Sequence, residues 1–209
     1  MKLYRVTTAV CAGLLFAGAL GAQDAKPAKP GQGMPPAMSA EEKAMMEAWH
    51  KFATPAEGHQ KLAGMVGTWD AEVTSWMNPT APPMKSKGTS ENRAVLGGRW
   101  IESKFHGDMM GQPFEGLGYT GYDNFKKKYI GTWMDNMSTA VMMSEGTYDS
   151  AGTVMTSMST MDDFMTGKAS TVRMVTTLVD PDQHRFEMYG PDPTGKEVKQ
   201  MEIVYKRRK

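Results

Sequence analysis

From Gly67 to the carboxyl end, apolar and polar residues alternate with a period of two, and turn residues break the alternation about every 8–14 positions. This pattern predicts ten strands, at 68–77, 85–96, 98–107, 113–122, 127–135, 138–147, 153–160, 169–179, 184–190 and 197–206. The joints carry turn chemistry, for example Leu96-Gly97-Gly98, Gly107-Asp108, Asp123-Asn124, Asp149 to Gly152, Thr166-Gly167-Lys168, Asp180-Pro181-Asp182 and Pro191 to Gly195. Connections this short make successive strands pair in order. Ten strands left as an open sheet would expose their edges, so the expected fold is mainly β, an antiparallel up-and-down barrel spanning residues 67–209.

Upstream of Gly67 the period is helical. In SAEE, Ser39 and Glu42 form a capping box ahead of KAMMEAWHKF, and in TPAE the residues Thr54, Pro55 and Glu57 take the N-cap, N1 and N3 places of a second short helix. Residues 39–66 are therefore read as amino-terminal helices before the barrel. Residues 23–38, rich in Pro, Gly and Lys, read as a disordered linker. Residues 1–22 place Lys2 and Arg5 before an apolar run that ends in Gly21-Ala22, which is the layout of a signal peptide, so an exported, periplasmic or secreted protein is expected. No later stretch has the roughly 20 consecutive apolar residues needed to span a bilayer as a helix.

The one cysteine, Cys11, lies inside that leader, which leaves disulfide and thiolate chemistry without a residue once the leader is removed. Without Lys2 and Arg5 the chain holds 22 basic against 23 acidic residues, a balance that gives no electrostatic reason to bind nucleic acid. After residue 22 the chain has 20 Met but only four Leu and three Ile, so Met takes over the aliphatic role in a core or cavity wall. The spacing of Met155, Met158, Met161 and Met165 raises soft-metal binding as a second use of the sulfur, but on a strand alternate residues point to opposite faces. A Cu(I) or Ag(I) site would use the turn residues His106, Met109 and Met110 together with Met161 and Met165. No spacing typical of a zinc site occurs, no G-x-S-x-G elbow or phosphate loop is found, and neither a catalytic residue nor a cofactor is assigned.

The phrases HQKLAGMVGTWD (59–70), VLGGRWIE (95–102), residues 113–149 from PFEGLGYTGYD through SEGTYD, and FEMYGPDPTGKEVKQMEIVYKR (186–207) resemble a bacterial secreted family known as domain of unknown function 1579. The resemblance implies a calycin-like, lipocalin-related barrel and brings no established activity. It also implies that Trp69, in Gly67-Thr68-Trp69, closes one end of the barrel with Arg207 lying over its ring.

Candidate ligand residues follow from position. His59 precedes the first strand as a lid residue, and Arg99 stands inside a predicted strand. Tyr119, Tyr129, Trp133 and Trp69 are rings able to line a cavity for a flat or apolar guest. Arg173 and Glu187 occupy the middles of neighbouring strands, either as an inward polar anchor or, if Phe186 and Met188 point inward, as outer-face charges. The partner expected is a small apolar or amphipathic molecule held reversibly in the barrel, with the Met-based metal binder and an enzyme using Arg173, Glu187 and Glu102 as rivals.

Overall fold

The computed structural model describes residues 37–76, 81–163 and 167–209, so the expected leader, nearly all of the expected linker and Met165 lie outside the described residues. Two helical pieces come first, α1 (Ala40–Ala53) and α2 (Glu57–Ala63). Ten strands follow: β1 (Gly67–Ser75), β2 (Met84–Val95), β3 (Trp100–Met109), β4 (Gln112–Asp123) and β5 (Lys128–Asp135). The second half is β6 (Met142–Tyr148), β7 (Val154–Asp162), β8 (Ala169–Asp180), β9 (Gln183–Pro191) and β10 (Glu197–Arg207). All pairings are antiparallel between sequence neighbours, and β1 pairs with β10, so the sheet is a closed up-and-down barrel, as the alternation predicts. Among the described residues no helix is long and apolar enough to cross a membrane.

Several boundaries move, each for a local reason. Thr54 ends α1 by donating its N–H to the His50 carbonyl at 3.0 Å and does not begin α2. The N-cap of α2 is Ala56, whose N–H donates to His59 Nδ1 at 3.0 Å, so the imidazole reaches back from the N3 place in which Glu57 was expected. The hairpin expected at Gly107-Asp108 turns instead at Met110-Gly111. Both residues have positive φ, 57° and 79°, as a tight two-residue turn requires, and Asp108 accepts the Gly111 N–H. The strand expected from 138 begins at Met142, because Asp135 and Ser138 side chains accept the backbone N–H groups of Met137 and Ala140 and hold a loop there. The strand expected from 98 begins at Trp100, after a 3-10 turn at Leu96–Gly98.

The register sorts the two faces. On the inner wall lie Trp69, Ala71, Ser90, Phe105, Gly116 and their cross-strand partners, and the burial alternates accordingly. At the end where α2 enters β1, Leu62 packs on Ile101 and Tyr129, with Met65, Val66, Tyr122, Tyr148 and Met155 around them. This end is plugged. Further along, Ala71, Phe105 and Ile203 form a second cluster with Trp133, Phe186 and Met201.

The seam between first and last strand sits at the plugged end. Trp69 pairs with Arg207 across it, the guanidinium carbon lies 4.0 Å from the ring centroid, and Trp69 is 2 % exposed. Arg207 also donates to the carbonyls of Val66 at 2.7 Å, Gly64 at 3.0 Å and Pro181 at 3.0 and 3.1 Å. Trp69 Nε1–H and the Asn92 amide both donate to the Met65 carbonyl. The α2–β1 link is thus tied to β10 and to the β8–β9 turn by one side chain. His184 stands edge-on to Trp69 at 4.4 Å and stacks on Tyr205 at 4.5 Å. Burial first, and the Arg207 charge second, lower its pKa to about 4.

Two outcomes follow from this end. Arg207→Lys keeps the charge but loses the planar fork that reaches four carbonyl contacts, and is expected to lower stability by about 1–3 kcal/mol in urea denaturation. For His184 the folded-state pKa lies below the unfolded value near 6.5, so the neutral ring contributes fully above about pH 6.5 and its contribution falls as the pH drops towards 4. The loss amounts to roughly 3 kcal/mol between those limits. His184→Phe keeps a flat ring in the stack, and denaturation midpoints at neutral and acid pH should then converge relative to wild type.

Candidate functional site

The end opposite α2 carries the β1–β2, β3–β4, β5–β6, β7–β8 and β9–β10 connections. Here the inner wall is apolar yet not sealed. Phe114, Trp133, Met142, Phe186, Met188 and Met201 point inward by register, and all are only partly buried, whereas Leu62, Trp69 and Ile101 at the plugged end are 3 % exposed or less. Partly exposed apolar side chains on an inner wall are what a small-molecule site offers a guest.

Its shape depends on rings laid flat against bare backbone. Trp133 lies over Gly116 and Gly118 of β4, so close that a Cβ on Gly116 would stand 2.1 Å from the indole. Phe105 lies over Gly88 and Gly107 in the same way. Glycine at these positions lets a large ring lie against the wall, where Trp133 and Phe114 pack on the cluster of Ala71, Phe105 and Ile203. Trp133 Nε1–H donates to Asp135 Oδ2 at 3.0 Å, which fixes the ring plane and places one carboxylate on the inner wall near the mouth.

The residues singled out from sequence are distributed over four places. Trp133 lines the lumen. Trp69 and Arg207 meet at the plugged end, as the resemblance implied, and Tyr129 belongs to the plug, where burial, reinforced by Tyr148 and Tyr122, pushes its hydroxyl up to about 12. His59 and Arg99 sit outside the barrel at the joint of α1 and α2. Arg99 donates to the Ala53 carbonyl at 2.7 and 3.1 Å, and His59 is lowered from its ordinary pKa by burial and then by the Arg99 charge, which suits its acceptor role at the α2 start. Tyr119, Arg173 and Glu187 are on the outer face.

That outer face is a polar lattice. Tyr119 donates to Glu102 at 3.0 Å, and Arg93 pairs with the same carboxylate. Arg173 forms a two-pronged pair with Glu197 and lies 4.2 Å over the Tyr189 ring, and Tyr189 donates to Glu187. Glu187 is 8 % exposed although it faces outward, because Lys199, Arg185 and Tyr189 cover it. Burial works to raise its pKa, but hydrogen bonds from Lys199 and Tyr189 outweigh that and hold it below the usual carboxylate range. Arg173 and Glu187 thus neighbour each other through Tyr189 and not as an internal ion pair.

The residues named for a soft-metal site are not gathered. His106 is exposed on the outer face near Glu115, Met109 has the opposite, inward parity of the same strand, and Met110 is 70 % exposed in the turn. Met161 stands at the rim, 39 % exposed, and no group of three or more His, Cys, Asp or Glu able to hold a metal occurs among the described residues.

A cavity lies outside the barrel, between α1 and the wall of β3–β8. Its volume is about 890 Å³, and Trp49, Phe52, Trp100, Ile130, Met143 and Met158 supply its apolar surface, with His59 and Arg99 at one end. The Asn124 amide and Arg99 hold the carboxyl end of α1 by its carbonyls, and no residue of α1 is buried. Sequence reasoning missed this groove, although Met45, Trp49 and Phe52 form a stripe at helical spacing that signals it.

The family described as "Protein of unknown function (DUF1579)" matches residues 54–207. The chain belongs to this family. The DUF1579 region therefore takes in α2 and all ten strands and leaves α1 outside. No curated protein matches the chain. Among solved structures, the crystal structure of Rv2717c from M. tuberculosis is similar with a TM-score of 0.56 and 14% identity, over 75% of this chain and 100% of that one, a likeness of fold alone. A redesigned β-barrel covers the same shares at 15% identity with a TM-score of 0.38.

If the open lumen of this DUF1579 barrel depends on rings lying over glycine, Gly116→Val should push the Trp133 indole off the wall. The expected readout is a changed Trp emission maximum and a loss of stability of about 1–3 kcal/mol from overpacking.

Proposed function

We propose that the protein binds a small apolar or amphipathic molecule reversibly in the open half of the barrel, with no covalent step. The observation that carries this reading is the partly exposed apolar lining formed by Phe114, Trp133, Phe186 and Met188, at the end that α2 does not plug. A lining of this kind gains about 25 cal/mol for each Å² of apolar surface that a guest removes from water. The Asp135 carboxylate at the mouth favours a guest with a hydrogen-bond donor or a cationic head. The leader-like residues 1–22 support an exported protein that meets its ligand outside the cytoplasm.

The groove of about 890 Å³ beneath α1 supports a second reading, in which the same class of guest lies between Trp49, Phe52 and Trp100. One experiment separates the two. Titration with a fluorescent apolar probe, anilinonaphthalene sulfonate, should saturate at a single site, and Trp133→Ala should weaken it while Trp100→Ala leaves it unchanged. The reverse pattern transfers the function to the groove, and no saturable binding by the wild type removes the proposal.

A further inference from the structure

The inner wall carries a second chemistry beside the rings. In the register, Met174 of β8 is directly opposite Met188 of β9, and Met188 is directly opposite Met201 of β10. The row continues through Ser75 of β1 to Met84 of β2. Directly opposed residues on one face have Cβ atoms about 4.5–5.5 Å apart, well within the combined reach of two Met side chains. Three thioethers on three adjacent strands therefore stand side by side at one level of the wall, the outer two about 10 Å apart at the usual strand spacing. The row is also graded in depth: Met174 is 4 % exposed, Met188 and Met201 are partly buried, and Met84 at the rim is 39 % exposed.

We propose that Met174, Met188 and Met201 form a binding site for a soft monovalent cation, Cu(I) or Ag(I), with Met84 as the entry ligand at the mouth. Thioether sulfur is neutral and soft. It selects Cu(I) and Ag(I) over Mg²⁺, Ca²⁺ or Zn²⁺, which prefer carboxylate, imidazole or thiolate donors, and the row holds none of those, its only oxygens being the neutral hydroxyls of Ser75 and of Ser157 opposite Met174. Three sulfurs supply a trigonal coordination shell. The metal enters and leaves without a change of oxidation state or a proton transfer, since thioethers do not titrate. Met at these places does more than fill volume, because filling alone does not require sulfur on three consecutive strands at one level.

The site shares the barrel interior with the organic guest proposed above but does not depend on it, and Met174→Leu, at a residue outside the lining assigned to the guest, separates the two. Leu keeps the apolar wall at nearly unchanged volume, so the variant should fold, verified by far-ultraviolet circular dichroism, and should keep anilinonaphthalene sulfonate binding. Anaerobic titration with Cu(I) against bicinchoninate under ascorbate should give one equivalent for the wild type. Met174→Leu should weaken that uptake roughly tenfold or more, as for loss of a ligand, and Met143→Leu on the outer face should leave it unchanged. Affinity should be equal at about pH 6 and about pH 8, which an imidazole-based site would not show. No stoichiometric uptake by the wild type, equal uptake by Met174→Leu, equal weakening by Met143→Leu, or a strong pH dependence would each overturn the proposal.

Discussion

The seam between β1 and β10 is the constraint on which the rest of the molecule depends. A ten-stranded meander with that seam open would expose two long edges and turn its inner residues to water. Closure requires the last strand to arrive in one register, and Arg207 enforces it by stacking on Trp69 while binding carbonyls on either side of the seam, at Gly64, Val66 and Pro181. Those carbonyls belong to the α2–β1 link and the β8–β9 turn, so the same side chain that joins the sheet also fastens the plug. A one-residue slip would reverse every face of β10 and send Ile203 and Tyr205 outward.

Given closure, the two faces divide the work. Outside, charge is neutralised locally: Glu187 is served by Lys199, Arg185 and Tyr189, and Arg173 by Glu197. The exposed Arg173–Glu197 pair adds little to stability, while the pairs at the covered Glu187 hold its carboxylate ionised, on a surface that also displays Met143 and Met158. Inside, small polar residues such as Ser90, Asn92, Ser157 and Thr176 share the wall with aromatic rings held flat by glycine. The barrel is asymmetric along its axis as a result, with Leu62, Ile101 and Tyr129 sealing one end and half-buried Phe, Trp and Met lining the other.

The methionines show how the two levels of information combine. Counting them shows that thioethers replace Leu and Ile, and the period of two shows that Met155, Met158 and Met161 cannot all share a face. Strand sequence alone does not show which methionines from different strands become neighbours. In the fold, Met142, Met155, Met161, Met174, Met188 and Met201 face inward, while Met134, Met143 and Met158 face outward. The group suggested by nearness in sequence around His106 is dispersed, and the row that does form joins residues 13–14 positions apart on successive strands.

The sequence by itself determined the number of strands, their order and the closed barrel, because a strong two-residue period and short turns leave a meander few alternatives. It also placed Trp69 and Arg207 together through the resemblance. Tertiary structure decided which face each charge and sulfur occupies. Arg173 and Glu187 lie outside because Phe186 and Met188 lie inside. Met201 faces inward although Lys199, two residues earlier, faces outward, because a bulge at Gln200 inserts one extra residue into β10. Alternation is local, but its phase is set by pairing with a neighbour, and a single unpaired residue resets it. The site was therefore less legible than the fold that holds it.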